Sequence, residues 1–186
     1  MPSSLIGEPM RVIVVDGHQA TADSAALLFE WWGHHAHPVY ATESALQKAF
    51  DAKPDLMLID LVQRESEGLG LAERLRREEG LEFLQMVALS AVEDLAQWRR
   101  VKSAGFSDYL VKPVPATELL RVLLNARAAI ARSKDKARQS HEIAALTKQR
   151  NTSAKAGMHA LREAIENSQQ SLERRPGVQT ELPGIY

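Results

Sequence analysis

The chain has 186 residues, of which 45% are hydrophobic and 25% charged, a composition typical of a globular protein that buries its own core. It contains no cysteine, which excludes disulfides, thiol catalysis and thiolate metal sites. The first ten residues, MPSSLIGEPM, lack a basic leader, and nowhere do about 18 apolar residues follow one another. We therefore expect a cytoplasmic protein without a signal peptide or membrane span.

The formal charge is divided unevenly along the chain. Residues 1–125 hold 12 basic and 18 acidic side chains, whereas residues 126–186 hold 11 basic and 6 acidic ones. A basic tail can contact nucleic acid, anionic lipid or an acidic domain of its own chain, although a solvated helical surface explains the same charges.

Short apolar runs alternate with helix-like stretches through the first part of the chain. Runs such as VIVV at 12–15 are too short for a helix and suit strands that are covered on both faces. Gly33 and Gly105 are predicted to end the helices before the second and fifth strands. The alternation predicts an α/β fold with a doubly wound five-stranded parallel sheet, whose carboxyl strand ends meet at one edge. In chain order, the predicted strands and the helices between them are 12–15, 20–32, 35–40, 43–50, 56–59, 69–77, 86–89, 93–104 and 107–111.

A fifth helix is predicted to begin after Pro115, with Ala116 or Thr117 near its cap. Because residues 116–150 contain neither Pro nor Gly and are rich in helix formers, this helix is expected to continue well past the sheet. The predicted organisation is an N-terminal tail at 1–9, an α/β domain at 10–130, a helical extension at 131–175 and a disordered end at 176–186.

The helical extension carries a weak apolar stripe. Four apolar residues share one face of the helix: Met158, Leu161, Ile165 and Leu172. Steps of seven backwards along the chain reach Asn151 and Ala144, and this register predicts a coiled-coil homodimer as one alternative, because Asn at an apolar seam favours two strands. The other alternative is a solvated single helix.

Polar side chains end four of the five predicted strands: Asp16, Asp60, Ser90 and Lys112. Because parallel strands end at one edge of the sheet, we expect these side chains to lie close together. Two neighbouring carboxylates repel each other, and a cation such as Lys112 or Mg²⁺ has to offset that repulsion. One carboxylate can then attack a phosphoryl group, with a hydroxyl and an ammonium stabilising the phosphoryl oxygens. A lone acid at a strand end often only caps a helix, so the prediction depends on all four residues.

Over about residues 10–130 the sequence resembles the receiver domain of bacterial two-component response regulators. The matching segments are VIVVDGH, KPDLMLIDLVQRESEGLGL, VALSA and GFSDYLVKP, of which the last is the most specific. The intervals also fit, with 30 positions from Asp60 to Ser90, 22 from Ser90 to Lys112, and Gly68 eight positions after Asp60.

The resemblance implies a response regulator that takes a phosphoryl group from a histidine kinase or a phosphotransfer protein and signals through protein contacts. It implies no enzyme beyond self-catalysed phosphoryl transfer to the chain. By resemblance Asp60 is the phosphoacceptor and, with Asp16 and the backbone carbonyl of Val62, a Mg²⁺ ligand. The other implied roles are a switch hydroxyl, a switch aromatic residue and the lysine at the phosphoryl group: Ser90, Tyr109 and Lys112. The resemblance also implies a cis peptide bond before Pro113.

Gly17 is the clearest departure from the family, whose members usually carry two adjacent acids after the first strand. The loss of one carboxylate leaves Asp16 and Asp60, so we expect weaker Mg²⁺ binding and a more stable metal-free domain. His18 is an alternative ligand, although imidazole suits softer metals than Mg²⁺.

The loop after Asp60 also departs from the family, because Gln63 and Arg64 replace the common Met-Pro and predict a more mobile loop. Val62 and Val92, two positions after Asp60 and Ser90, are apolar and cannot orient a hydrolytic water. We therefore expect a phosphoryl group on Asp60 to be lost slowly.

Two further groups of residues have competing interpretations. His34, His35 and His37 are spaced as metal ligands sometimes are, but an exposed entry to an edge-region strand is the simpler interpretation. Trp98 is placed near Tyr109 by the resemblance, where it either anchors a partner or packs in the core.

Two alternatives to phosphoryl signalling stay open. The absence of the second acid at Gly17 favours a degenerate receiver that binds partners without phosphorylation. A nucleic-acid-binding regulator is the weaker alternative, because the tail has no convincing helix-turn-helix, and steep salt dependence of binding would support it. Its candidate contacts are Arg127, Arg132, Lys134, Lys136 and Arg138. A phosphatase of another α/β family is disfavoured, because it needs a second Asp where this chain has His18.

Overall fold

The computed structural model describes residues 7–62 and 65–173 and divides into two compact units, Met1–Lys136 and Ala137–Tyr186. The predicted disordered end at 176–186, the loop residues Gln63 and Arg64, and most of the predicted N-terminal tail lie outside the described residues.

The first unit is a five-stranded, wholly parallel sheet with strand order β2-β1-β3-β4-β5. The predicted doubly wound α/β fold is confirmed. The strands are β1 (Arg11–Val15), β2 (His35–Val39), β3 (Leu56–Asp60), β4 (Gln85–Ser90) and β5 (Asp108–Val111). The helices are α1 (Gln19–Trp31), α2 (Thr42–Ala52), α3 (Glu65–Leu75), α4 (Leu95–Ser103) and α5 (Ala116–Glu173).

Two cores cover the two faces of the sheet, because neighbouring residues of a strand point to opposite faces. Ile13 and Ile59 pack with α2, α3 and α4, whereas Val12 and Leu58 pack with α1 and α5. A fully buried aliphatic side chain of this kind contributes about 1.5–3 kcal/mol relative to an exposed one. Burial on both faces explains why the central strands are continuous apolar runs without alternation.

The third and fourth helices begin at different residues from those predicted. α4 begins at Leu95 rather than Glu93, because Asp94 caps it and accepts a hydrogen bond of 2.8 Å from the amide of Ala96. α3 begins four residues before the predicted 69, at Glu65. Gly68 lies inside this helix, where an added Cβ would lie 2.3 Å from a methyl of Leu61, so glycine permits close packing of α3 on the end of β3.

Other predicted chain reversals are present. Gly33 and Gly105, after α1 and α4, have φ angles of +89° and +97°, a region that favours glycine. The peptide bond between Lys112 and Pro113 is cis, as the resemblance implied. It leads from β5 into α5.

α5 is a single helix of 58 residues. Its first turns are held to the sheet by Leu119, Val122, Leu123 and Ile130, which are all buried. In the second unit, every residue from 138 to 170 is exposed. The coiled coil stays a prediction, and its last member, Leu172, has a side chain outside the described part of the chain.

Candidate functional site

The carboxyl edge of the sheet is where the predicted polar residues meet. Asp60 is the last residue of β3 and pairs with Leu89 of β4, and Ser90 pairs with Val111 of β5. Asp16 directly follows β1, and its amide donates to the carbonyl of Val39 at 3.0 Å. The strand register thus carries all of these positions to one edge, and the geometry of the sheet fixes their spacing.

Lys112 bridges the two aspartates. Its Nζ lies 2.8 Å from Asp16 Oδ2 and 2.9 Å from Asp60 Oδ1. The side chain of Asp16 is 1% exposed and that of Asp60 9%, so one ammonium compensates two largely desolvated carboxylates. Burial alone lowers the pKa of Lys112, but the hydrogen bonds and charges of Asp16 and Asp60 outweigh that effect and raise it. Lys112 is therefore a permanent cation at neutral pH.

Backbone amides fix the orientation of both carboxylates. The amide of His18 donates to Asp16 Oδ1 at 2.8 Å, and the amide of Val62 donates to Asp60 Oδ1 at 3.2 Å. These bonds are local, each reaching two residues along the chain, so they form from the strand-end turns themselves. The imidazole Nδ1 of His18 lies 3.0 Å from Thr21 Oγ1, so the ring contacts the first turn of α1.

A cavity of about 260 Å³ opens beside the aspartates and Gly17. Thr42, Glu43 and Glu67 also line it, and sequence reasoning missed these three residues. Their signal was weak, because Glu43 and Glu67 lie in the first turns of α2 and α3, where acids are common near helix N-termini, and Thr42 is simply the first residue of α2.

The chemistry of the donor set suits a hard cation, since it consists of carboxylate oxygens. However, the described residues contain no cluster of three His, Asp or Glu side chains arranged to hold a metal. Asp16 and Asp60 fit a Mg²⁺ that keeps most of its waters, rather than one enclosed by protein ligands.

Ser90 belongs to a different set of contacts from the aspartates. Its side chain is buried, and its Oγ donates to Gln97 Oε1 at 2.7 Å and accepts from the amide of Val92 at 3.2 Å. The Tyr109 hydroxyl lies 2.6 Å from the same Gln97 oxygen and also contacts the Val92 carbonyl. The two predicted switch residues are therefore joined through one residue of α4.

Gln97 was missed by sequence reasoning. It lies four positions before the buried Val101, on the inward face of α4, and is only 6% exposed. A polar residue on the inward face of an amphipathic helix was the available signal.

Trp98, half-buried on α4, packs edge-on against the Tyr109 ring, with ring centroids 5.9 Å apart. The predicted nearness of these two aromatic residues is thereby confirmed. The ammonium of Lys102 lies 5.3 Å from the centroid of the Trp98 ring.

The histidine cluster divides between surface and core. His35 and His37 are exposed on the edge strand β2, as expected. The expectation of exposure was wrong for His34, which is 4% exposed and accepts a hydrogen bond of 3.1 Å from the amide of Met10. Burial, with the nearby charge of Arg127, lowers the pKa of His34. His34 is therefore a buried, neutral ring that holds the residue before β1 in place, and not the exposed histidine that we expected.

A family model described as the response regulator receiver domain matches residues 12–124, more than half of the sequence. The chain belongs to this family. Receiver domains are modules of two-component systems and generally bind Mg²⁺ in the acidic pocket, which here contains Asp16 and Asp60.

Known proteins resemble this receiver domain to different extents. A Mycobacterium tuberculosis protein named "Probable transcriptional regulatory protein TcrX" is 30% identical over 128 residues, covering 68% of this chain and 52% of that protein. The Synechocystis "DNA-binding dual master transcriptional regulator RpaA" is 26% identical over 110 residues, covering 59% and 46%. The chain thus spans about half the length of these curated relatives. The chemotaxis protein CheY4 of Vibrio cholerae has the same fold, with a TM-score of 0.60, 20% identity, and coverage of 64% of this chain and 99% of CheY4.

No helix in the described part of this receiver chain is both long enough and apolar enough to cross a membrane.

Proposed function

We propose that Asp60 accepts a phosphoryl group from a histidine kinase or a phosphotransfer protein, and that the chain signals through protein contacts. The observation that carries this proposal is the placement of Lys112 between Asp60 and Asp16, at 2.9 and 2.8 Å. A cation in that position neutralises the negative charge that a phosphoryl group brings to a site already holding two carboxylates. The cytoplasmic location predicted from the sequence belongs to the same proposal.

In the transfer step, an oxygen of Asp60 forms a bond to phosphorus as the P–N bond of the donor phosphohistidine breaks. The imidazole leaves with the bonding electron pair and takes up a proton. Lys112 stays protonated throughout and moves its hydrogen bond from the carboxylate to a phosphoryl oxygen.

Asp16, Asp60 and the backbone carbonyl of Val62 would hold Mg²⁺ beside the phosphoryl group. When bound, this ion supplies charge neutralisation and orientation of the phosphoryl oxygens. We propose that it binds weakly, because Gly17 provides no carboxylate.

The face between α1 and the start of α5 suits the approach of a donor. A cavity of about 760 Å³ there is lined by Ala25 and Leu28 of α1, by Pro113 and Val114, and by Lys112 itself. It continues directly from the lysine that contacts Asp60. An apolar helix face of a kinase or phosphotransfer protein that fills this cavity brings its histidine to the carboxyl edge of the sheet.

Intact mass spectrometry tests the proposal. Incubation with acetyl phosphate and Mg²⁺ should add one phosphoryl group to the native chain and none to Asp60→Ala. Asp51→Ala, at an exposed acid on α2, is the matched control and should be phosphorylated like the native chain. An unmodified native chain would refute the proposal and leave the phosphorylation-independent binding module, which the missing acid at Gly17 favours.

The exposed part of α5 carries apolar residues that can bind a second copy of the chain. Met158, Leu161 and Ile165 are 74%, 63% and 51% exposed and share one helical stripe. We propose a homodimer through this stripe. Sedimentation of the native chain and of a double variant carrying Leu161→Glu and Ile165→Glu distinguishes a dimer from a solvated single helix.

The DNA-binding name of RpaA does not carry over to the basic stretch that begins at Arg127, because the family match ends at residue 124.

A further inference from the structure

A hydrogen-bond chain that is buried at Ser90 and Gln97 and reaches the surface at Arg100 connects α3, α4, β4 and β5 beside the aspartates. It runs from Arg100 through Glu65 to Gln97, and from Gln97 to the hydroxyls of Ser90 and Tyr109. Asp16, Asp60 and Lys112 take no part in these bonds. Ser90 is therefore held by a structure that the phosphoryl-transfer residues do not themselves provide.

The direction of each bond in this chain is fixed by chemistry. Arg100 Nε donates to Glu65 Oε1 at 2.9 Å, a hydrogen bond that lowers the pKa of Glu65 and keeps it ionised. An ionised carboxylate only accepts, so Gln97 presents its amide nitrogen to Glu65 Oε2 at 3.0 Å. The carbonyl oxygen of Gln97 then faces the opposite way, toward Ser90 and Tyr109. Glu65 thus sets the orientation of the Gln97 amide.

The Gln97 oxygen competes with a phosphoryl group for one proton. The Ser90 hydroxyl has a single hydrogen, which it donates to Gln97 Oε1 at 2.7 Å. It cannot donate the same hydrogen to a phosphoryl oxygen on Asp60. The Tyr109 hydroxyl lies 2.6 Å from the same Gln97 oxygen and also contacts the Val92 carbonyl, so its single hydrogen has two acceptors. Release of Ser90 from Gln97 therefore changes the environment of Tyr109 and of the Trp98 ring packed against it.

We propose that Gln97 is a positioning residue that holds Ser90 and Tyr109 together in the unphosphorylated state, and that phosphorylation of Asp60 has to break the bond between Ser90 and Gln97. The inference rests on the proposed function, since it concerns the response to phosphorylation. Glu65 of α3 and Gln97 of α4 would then set how strongly a phosphoryl oxygen has to compete for the hydroxyl hydrogen of Ser90.

The first experiment examines the unphosphorylated protein and is independent of phosphoryl transfer. The chain has three tyrosines, so 3-fluorotyrosine labelling gives three fluorine signals, and Tyr109→Phe assigns the relevant one. Gln97→Leu should shift the Tyr109 signal, because the hydroxyl then keeps only the Val92 carbonyl as an acceptor. The matched control, Gln47→Leu on the exposed face of α2, should leave it in place. An unmoved Tyr109 signal in Gln97→Leu would overturn the inference.

The second experiment measures the response to a phosphoryl mimic. Titration with beryllofluoride in Mg²⁺, followed through the Tyr109 signal, should give a midpoint about fivefold lower for Gln97→Leu, since one net hydrogen bond is lost only from the resting state. An equal or higher midpoint contradicts the proposed role.

A charge exchange separates positioning from general packing. Gln97→Glu places a second carboxylate against Glu65, and the repulsion should move the side chain of residue 97 away from Ser90 and lower the midpoint as Gln97→Leu does. Combining it with Glu65→Gln restores a carboxamide facing a carboxylate and should return the midpoint toward the native value. A double variant no closer to native than Gln97→Glu would overturn the inference. If the native chain forms no Asp60 adduct, the proposed function fails by itself, and the fluorine spectra still decide whether Gln97 holds Tyr109.

Discussion

The carboxyl edge of the sheet has a charged half and a neutral half that are built differently. In the charged half, Asp16, Asp60 and Lys112 extend from strand ends, and their separation is set by the parallel register. In the neutral half, Ser90 and Tyr109 are held by Gln97, which belongs to a helix that packs on the sheet. Strand ends inside a continuous ladder are rigid, whereas a nine-residue helix can shift as a unit. Under the proposed function, the phosphoryl chemistry belongs to the half built on strand ends and the conformational response to the half completed by α4.

The largest expected effect follows from removing the Lys112 ammonium, which joins the two carboxylates of the charged half. Lys112→Met leaves the carboxylates of Asp16 and Asp60 uncompensated and removes the cation that neutralises the phosphoryl group. We expect the rate of phosphorylation by acetyl phosphate to fall by about 100-fold, the size of effect seen when one stabilising donor is removed. Lys48→Met on α2 is the control and should retain the native rate. A Lys112→Met rate within a factor of about three of native would show that the bridge is not used in transfer.

The charged half can also be given the acid that Gly17 lacks. Gly17→Asp adds a third carboxylate. The φ angle of Gly17 is not positive, so the backbone conformation suits an aspartate. We expect Mg²⁺ to bind about tenfold more tightly and the metal-free protein to lose about 1 kcal/mol of unfolding free energy through repulsion. Isothermal titration and urea denaturation measure the two effects. Gly17→Asn, of the same shape without charge, should show neither.

The residues of the charged half could be predicted from the sequence, whereas Gln97 in the neutral half could not. The proximity of the charged residues was predicted because Asp16 and Asp60 end short apolar runs and Lys112 ends the weaker fifth strand, and parallel strands end at one edge of the sheet. Gln97 was not predicted, because its neighbours come from α3, β4 and β5, and no local pattern states which helix face meets which hydroxyl. The prediction for His34 was wrong for a similar reason, since the hydrogen bond that holds its buried ring comes from the Met10 amide, 24 residues earlier in the chain.

A smaller effect concerns the lifetime of the phosphoryl group. Val62 and Val92 are 46% and 55% exposed near Asp60 and Ser90, and neither side chain offers a polar atom to orient water. The native adduct should therefore decay over minutes or longer, as followed by intact mass after removal of the donor. Val62→Asn should hasten the decay several-fold, because its amide can align a water with the phosphorus, and Val62→Ile should not. Native decay within seconds would contradict this account.

The smallest effect is a pH dependence that arises in the charged half alone. The folded-state pKa of Lys112 lies above its ordinary value of 10.5, because Asp16 and Asp60 outweigh the effect of burial. The cation binds its proton more tightly in the folded state than in the unfolded chain. Its stabilising contribution is therefore complete below pH 10.5 and is lost as the pH rises through the folded-state value. Urea denaturation of the native chain and Lys112→Met from pH 7 to 11.5 should show a difference in unfolding free energy that is constant at first and shrinks above about pH 10.5. Gln47→Leu, on the exposed face of α2, should differ from the native chain by the same amount at every pH, and a difference that varies would show that the pH dependence does not come from Lys112.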